Sequence, residues 1–148
     1  MAQTTTAVNA CDVRVYLDNA SGTPIDISGS SNTISMSFTN QLGAVRNFGT
    51  RWQIRLECGK DATFALSAVY STASDEAIDI LKNWFFNNPG DRTLTVYIPD
   101  KNVGSDVYEC EARLESLNIP VEAGSADPIV ATCNLMPNGP VTLTTNAT

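Results

Sequence analysis

Residues 72–86 read TASDEAIDILKNWFF. Within them Ala77, Ile78, Leu81, Trp84 and Phe85 recur at the i, i+3, i+4, i+7 spacing that lines one side of a helix. Asp75, Glu76, Asp79 and Lys82 fall off that stripe. Thr72 followed by Asp75 makes a loose capping-box start, and the two acids of the first turn suit the positive end of the helix dipole. Asn87-Asn88-Pro89-Gly90 stops the pattern. The spacing therefore predicts a helix over about residues 72–87. An amphipathic helix with a heavy aromatic end needs an apolar surface to lie on, and Ile78, Leu81, Trp84 and Phe85 are the side chains expected to hold it there.

Outward from this segment the period changes to two. Phe64, Leu66, Ala68 and Tyr70 alternate with polar or small neighbours before the helix, and Leu94, Val96 and Ile98 do so after it. The same alternation marks Cys11, Val13, Val15 and Leu17; Ile25 and Ile27; Tyr108, Cys110, Ala112 and Leu114; and Ile129, Ala131, Cys133 and Leu135. Ile34, Met36 and Phe38 oppose a row of hydroxyls, Thr33, Ser35, Ser37 and Thr39. Trp52, Ile54 and Leu56 alternate with Arg51, Gln53, Arg55 and Glu57 as another strand, followed by a tight hairpin turn at Gly59-Lys60-Asp61. Between these two, residues 40–50, NQLGAVRNFGT, read as a glycine-containing loop. Its Leu42, Val45 and Phe48 suit either a contact surface or a loop folded back on its own domain. Eight or nine short strands and one helix imply a mainly β chain: an antiparallel β-sandwich or partial barrel with one flanking α-helix. The expected organisation is a flexible arm over residues 1–10, the β domain over 11–136, and a C-terminal edge strand and frayed tail over 137–148.

Bulk properties narrow the function. At 148 residues the chain is one domain with room for a real core. A net charge of −7, with only nine Lys and Arg and no cluster of them, argues against a nucleic-acid binder. No apolar run is long enough to span a membrane, so no membrane is expected as a partner, and residues 1–10 lack the basic start and apolar core of an export signal. Cys11, Cys58, Cys110 and Cys133 form no C-x-x-C and read as reduced core residues, with two disulfides the minor alternative.

Chemistry is thin. The chain has no histidine, which removes the usual nucleophilic triads and the commonest zinc ligand. There is no phosphate-binding glycine loop. No catalytic residue, metal or cofactor is expected, and an enzyme working with paired carboxylates is the weakest of the readings. Glu109, Glu111 and Glu115 read as a solvated outer face, or as a surface that must not stick to a polyanion; neighbours at i, i+2 lie roughly 7 Å apart.

The order of several segments resembles the major tail tube proteins of long, non-contractile tailed bacteriophages. The resemblance is carried by residues 27–32 (ISGSSN), 68–77 (AVYSTASDEA), 92–97 (RTLTVY), 114–117 with Ile119-Pro120, and 123–128 (AGSADP), and it covers about residues 11–136. It implies a sandwich or partial barrel that assembles as hexameric rings stacked into a hollow tube. The implied partners are other copies, the tail terminator, tape measure and baseplate or tip proteins, and genomic DNA in passage. The implied place is the virion tail, assembled in the host cytoplasm. Residues 40–50, with Leu42, Val45 and Phe48, would be the loop that bridges rings, and residues 1–10 the bridging arm. Six copies at −7 each would put roughly −42 on a ring, so DNA would slide without binding. Asp26, Ser35, Ser37, Glu109 and Glu111 are the candidates for the channel face. The competing reading is a monomeric β-sandwich binding or capsid-decoration module.

Overall fold

The computed structural model describes residues 6–49 and 51–148. Eight strands and one helix follow in the order β1 (Arg14–Asp18), β2 (Pro24–Asp26), β3 (Ser31–Val45), β4 (Ile54–Val69), α1 (Ala77–Phe86), β5 (Arg92–Ile98), β6 (Asp106–Asn118), β7 (Val130–Pro137) and β8 (Thr142–Thr145). All neighbouring strands run antiparallel in one sheet of order β2-β1-β5-β6-β7-β4-β3. The two terminal strands do not pair with each other, so the sheet is not closed into a barrel.

The sandwich character comes from one long strand. Residues 106–112 of β6 pair with β5, while residues 112–118 pair on the opposite edge with β7. β8 pairs with residues 106–109 of β6 and continues the line of β7 after a short break. β6 is thus shared by two halves of the sheet, and both halves send side chains into one core. Val15, Leu17, Leu94, Val96, Cys110 and Ala112 come from the β2-β1-β5-β6 half. Phe64, Leu66, Cys133 and Leu135 come from the β6-β7-β4-β3 half. These are the apolar members of the alternating rows, so the sequence pattern and the core coincide here.

The helix lies on the core side of the sheet with Ala77, Ile78, Ile80, Leu81 and Trp84 buried. It starts five residues later than the spacing suggests. Asp75 sits at φ 61°, in the left-handed region, and Glu76 is extended, so no helix can run through them. No side-chain cap of the capping-box kind forms. The Ala77 N–H instead donates to Ser30 Oγ at 2.9 Å, a cap supplied from the β2–β3 connection. Phe85 also departs from expectation. It is 47% exposed and stacks edge-on against Phe86, with ring centroids 5.0 Å apart. Ile80 takes the inward place, because the buried stripe is Ala77, Ile80, Leu81 and Trp84 at i, i+3, i+4, i+7.

The C-terminal end of the helix is held from the sheet. Arg92, buried on β5, donates from Nη1 to the Ile80 and Asp18 carbonyls at 3.4 Å, and from Nη2 to Asn83 Oδ1 at 3.1 Å and the Asn88 carbonyl at 3.5 Å. Its guanidinium carbon lies 5.4 Å from the centroid of the Trp84 ring. The last turn of α1 has no basic residue of its own, and Arg92 places a cation beside it through the Asn83 side chain and the Asn88 carbonyl.

Three further expectations change. Gly59-Lys60-Asp61 does not turn the chain, because β4 runs straight through it. The tail is not frayed at residue 146. Asn146 is buried, with Nδ2 donating to the Lys101 and Asn102 carbonyls at 2.8 and 3.1 Å and its N–H to the Ser105 carbonyl at 2.8 Å. The cysteines are all free thiols, but Cys11 and Cys58 are exposed and only Cys110 and Cys133 are in the core. Burial pushes the Cys110 thiol up to about 11 and the Cys133 thiol up to about 12. A thiol reagent at pH 8 is therefore expected to modify two cysteines rapidly and the other two only on unfolding. Four equally fast reactions in the native protein would contradict this burial.

Candidate functional site

The hairpin of β3 and β4 is longer than the sheet that carries it. β7 supports β4 only over residues 64–69. From Ser37 and Thr63 outward the two strands pair with each other alone, up to Val45 opposite Ile54. Eight more residue pairs at about 3.4 Å per residue make an arm of roughly 27 Å. Residues 40–45 are thus strand, not loop. Leu42, Val45, Phe48, Trp52, Ile54 and Leu56 are all exposed along the arm and its tip, and the expected strand around Trp52, Ile54 and Leu56 is present from Ile54 onward.

A β-bulge explains the change of side. Gln41 pairs with Gly59 and Leu42 with Glu57, which leaves Cys58 as the extra residue. Nearer the core, Phe38, Ala62 and Phe64 face inward on even positions. Beyond the bulge, Ile54 and Leu56 stand opposite Val45 and Gly43, on the outer side of the ribbon. Val45, Ile54 and Leu56 thereby form an apolar strip on the outer side, and Leu42 lies on the other. A two-stranded ribbon with apolar residues on both sides is poorly stable in water by itself.

At the base of the arm an open groove of about 850 Å³ is lined by Phe38, Ala62, Tyr108, Val141 and Leu143, with Lys60 and Asp61 at its rim. Phe38 is 53% exposed there, stacked on Tyr108 at 6.1 Å and edge-on to Phe64 at 6.2 Å.

Asp26, Ser35, Ser37, Glu109 and Glu111 are all exposed. Register places them on the same, outer side of the continuous sheet. Asp26 opposes Tyr16, Tyr16 opposes Thr95, and Thr95 opposes Glu109. Ser35 and Ser37 oppose Ala65 and Thr63 in the other half, where Ser67, Thr132 and Asn134 continue a row of small uncharged polar groups. The halves differ in charge. The Glu111 carboxylate accepts from Thr93 Oγ1. Asp18 beside it is raised above the ordinary aspartate value, chiefly by partial burial, against a hydrogen bond from Thr93. Lys101 enters this acidic half, its ammonium donating to the Tyr16 hydroxyl at 3.1 Å and lying 4.6 Å from that ring's centroid. The Tyr16 hydroxyl holds the ammonium above its ordinary value. Among the described residues no group of three or more acids or cysteines is gathered as metal ligands would be.

The arm was the feature that sequence pattern understated. Its signal is the unbroken alternation from Arg51 to Glu57, running on past Gly59 without a change of period.

No protein-family model and no curated protein matches the chain. Solved structures do. A chain from the tail of an empty gene transfer agent particle, determined with C6 symmetry, superposes with a TM-score of 0.73 at 17% identity, over 93% of this chain and 99% of that one. The SPP1 tail tube gives 0.73 at 10% identity, over 96% and 81%. A chain of the sheath-tube complex of an extracellular contractile injection system, PVC, gives 0.70 at 14%, over 95% and 93%. At these identities the likeness is one of fold, and it extends over nearly the whole of this chain.

Proposed function

We propose that the chain is a structural subunit of a phage-type tail tube, whose copies join as rings stacked around a channel for DNA. The observation that carries this reading is the pair of open edges on the β6-β7-β4-β3 half. β3 has no partner beyond β4, and residues 113–118 of β6 have none opposite β7 among the described residues. Four strands alternating in direction put β3 antiparallel to β6. The β3 edge of one copy can then pair with the β6 edge of the next, always antiparallel, and the series closes into a ring. Open edges invite pairing, and here pairing is the function. Six copies per ring is the proposed number, in keeping with the C6 tail of similar fold.

In that ring the outer side of the four-stranded half faces the channel. Ser35 and Ser37 line its wall, Glu109 and Glu111 follow on the shared strand β6, and Asp26 on the terminal strand β2 is the most distant of the five. Small hydroxyls offer a polyanion no fixed hold, and Arg113, which register puts on this side, is already paired with Asp91 at 2.6 Å. Leu42, Val45 and Phe48 on the arm make the contact between rings, helped by residues 1–10, of which 1–5 lie outside the described residues. The tube ends would meet a terminator and a baseplate or tip, and the channel a tape measure. The place is the virion tail, assembled in the host cytoplasm. The role is structural, and no catalysis is assigned to the chain.

Negative-stain imaging of the purified protein tests the reading. Rings or hollow tubes are expected. Small monodisperse particles at every salt and protein concentration would instead favour a monomeric binding or capsid-decoration module. A finer expectation concerns the channel: Glu109→Lys with Glu111→Lys leaves tube assembly intact and slows DNA release from particles by roughly an order of magnitude or more, because the new cations take hold of phosphates. Unfolding of that variant would make the two residues structural.

A further inference from the structure

The arm differs from the rest of the molecule in charge as well as in shape. No acid occurs between Asp26 and Glu57, and that interval holds Arg46, Arg51 and Arg55. All three are exposed, and among the described residues the ion pair formed within the chain is Arg113 with Asp91, elsewhere in the fold. The chain as a whole carries −7. The opposite end of the sheet has, on balance, the reverse sign, although Lys82 reaches it with its ammonium 5.1 Å from the Tyr70 ring centroid. β4 runs from the arm tip at Ile54 to Val69, roughly 50 Å at about 3.3 Å per residue. Beyond Val69 come Asp75 and Glu76, and beside it, before Val130, come Glu122 and Asp127. No Lys or Arg follows Arg113 in the sequence. Glu122 and Asp127 are exposed on the segment between β6 and β7, next to the exposed apolar Val121.

We infer that the arm docks on a second copy of this chain, its arginines against the acidic far end formed by residues 119–129 and 70–76, with Phe48 and Val45 entering the apolar surface around Val121. This rests on the tube reading and deepens it. It gives each subunit a positive end and a negative end, so that stacking is head to tail and one-directional. A heterologous contact of that kind does not close on itself and repeats along an axis. DNA is the other polyanion that three arginines could serve, but an acidic body around them disfavours it.

The experiment uses the full chain and reads tube length by negative stain and sedimentation at about 0.1 M and about 1 M salt, where charges are screened beyond roughly 10 Å and 3 Å respectively. The wild type should form tubes at the lower salt that shorten at least several-fold at the higher. Arg46→Glu with Arg51→Glu and Arg55→Glu should leave single rings or short stacks, at least fivefold shorter than wild type. Adding Glu122→Lys and Asp127→Lys to that variant should restore length. Normal tubes from the arm variant, absence of rescue, or wild-type length that ignores salt would each overturn the docking. So would an arm variant that stacks normally and loses only retention of added DNA. If the wild type forms no rings at all, the tube reading itself fails, and the docking falls with it.

Discussion

A subunit in which residues 40–60 are replaced by Asn-Gly, joining Thr39 to Asp61 in a two-residue turn, is expected to fold normally and to form no tubes. Thr39 and Asp61 are partners across the hairpin, and Asn-Gly is the sequence that a tight turn between such partners prefers. Every described residue removed is exposed on the isolated subunit apart from the half-buried Gly43, and none belongs to the core cluster. The melting temperature should stay within a few degrees, because no residue of the core cluster is removed and the hairpin is closed by a shorter turn. Rings remain possible, since the edges of β3 over residues 31–38 and of β6 are kept. Stacking is lost, because the apolar strip of Val45, Ile54 and Leu56 and the tip at Phe48 are gone. Tubes of ordinary length from this variant would remove the arm from any role in assembly.

The second large effect is on stability. Trp84→Ala should cost about 3–5 kcal/mol, the range for deleting a buried aromatic side chain. Trp84 is 1% exposed and is the largest fully buried side chain. Its Nε1 donates to the Gly90 carbonyl at 2.7 Å, a bond that ties the end of α1 to the start of β5. It also lies under Arg92, so its loss leaves a buried cation without its aromatic neighbour. Against a total stability on the order of 5–15 kcal/mol this is a large fraction. Chemical denaturation followed by circular dichroism measures it, and Trp84→Phe should recover part of the loss. A change under about 1 kcal/mol would mean that the helix is not a part of the core.

Much of this architecture was legible in the sequence, because a strand buried on one side writes itself as alternation. Leu94 and Val96, or Cys133 and Leu135, lie in the core where their parity puts them. The helix was legible from Leu81 and Trp84, but its first turn was not. Thr72 and Asp75 look like a cap, yet Asp75 adopts a left-handed backbone and the cap arrives from Ser30, 47 positions away. Tertiary partners of that kind leave no local trace. Phe85 went astray for a related reason: Ile80 completes the inward stripe, and a helix of ten residues presents only one such stripe to the sheet. The arm was hidden by composition. Glycine, lysine and aspartate in a row favour turns, but a strand paired on one side tolerates them, and β4 continues. The channel candidates were legible as faces, since exposure follows parity, while the split between a hydroxyl half and an acidic half required the order of strands.

The bulge at Cys58 makes the arm sensitive to counting. Along a ribbon, side is decided by how many residues precede a position, odd or even, and the bulge adds one. A substitution at residue 58 changes one side chain. A residue inserted between Glu57 and Cys58, with the bulge kept, shifts the phase of residues 54 to 57 by one step and moves Ile54 and Leu56 to the opposite surface of the ribbon. Two chains nearly identical in composition would then present mirror-placed apolar strips, and neither would fit where the other does. The arm is in this respect keyed like a lock wafer, by the spacing of its steps more than by what they are made of.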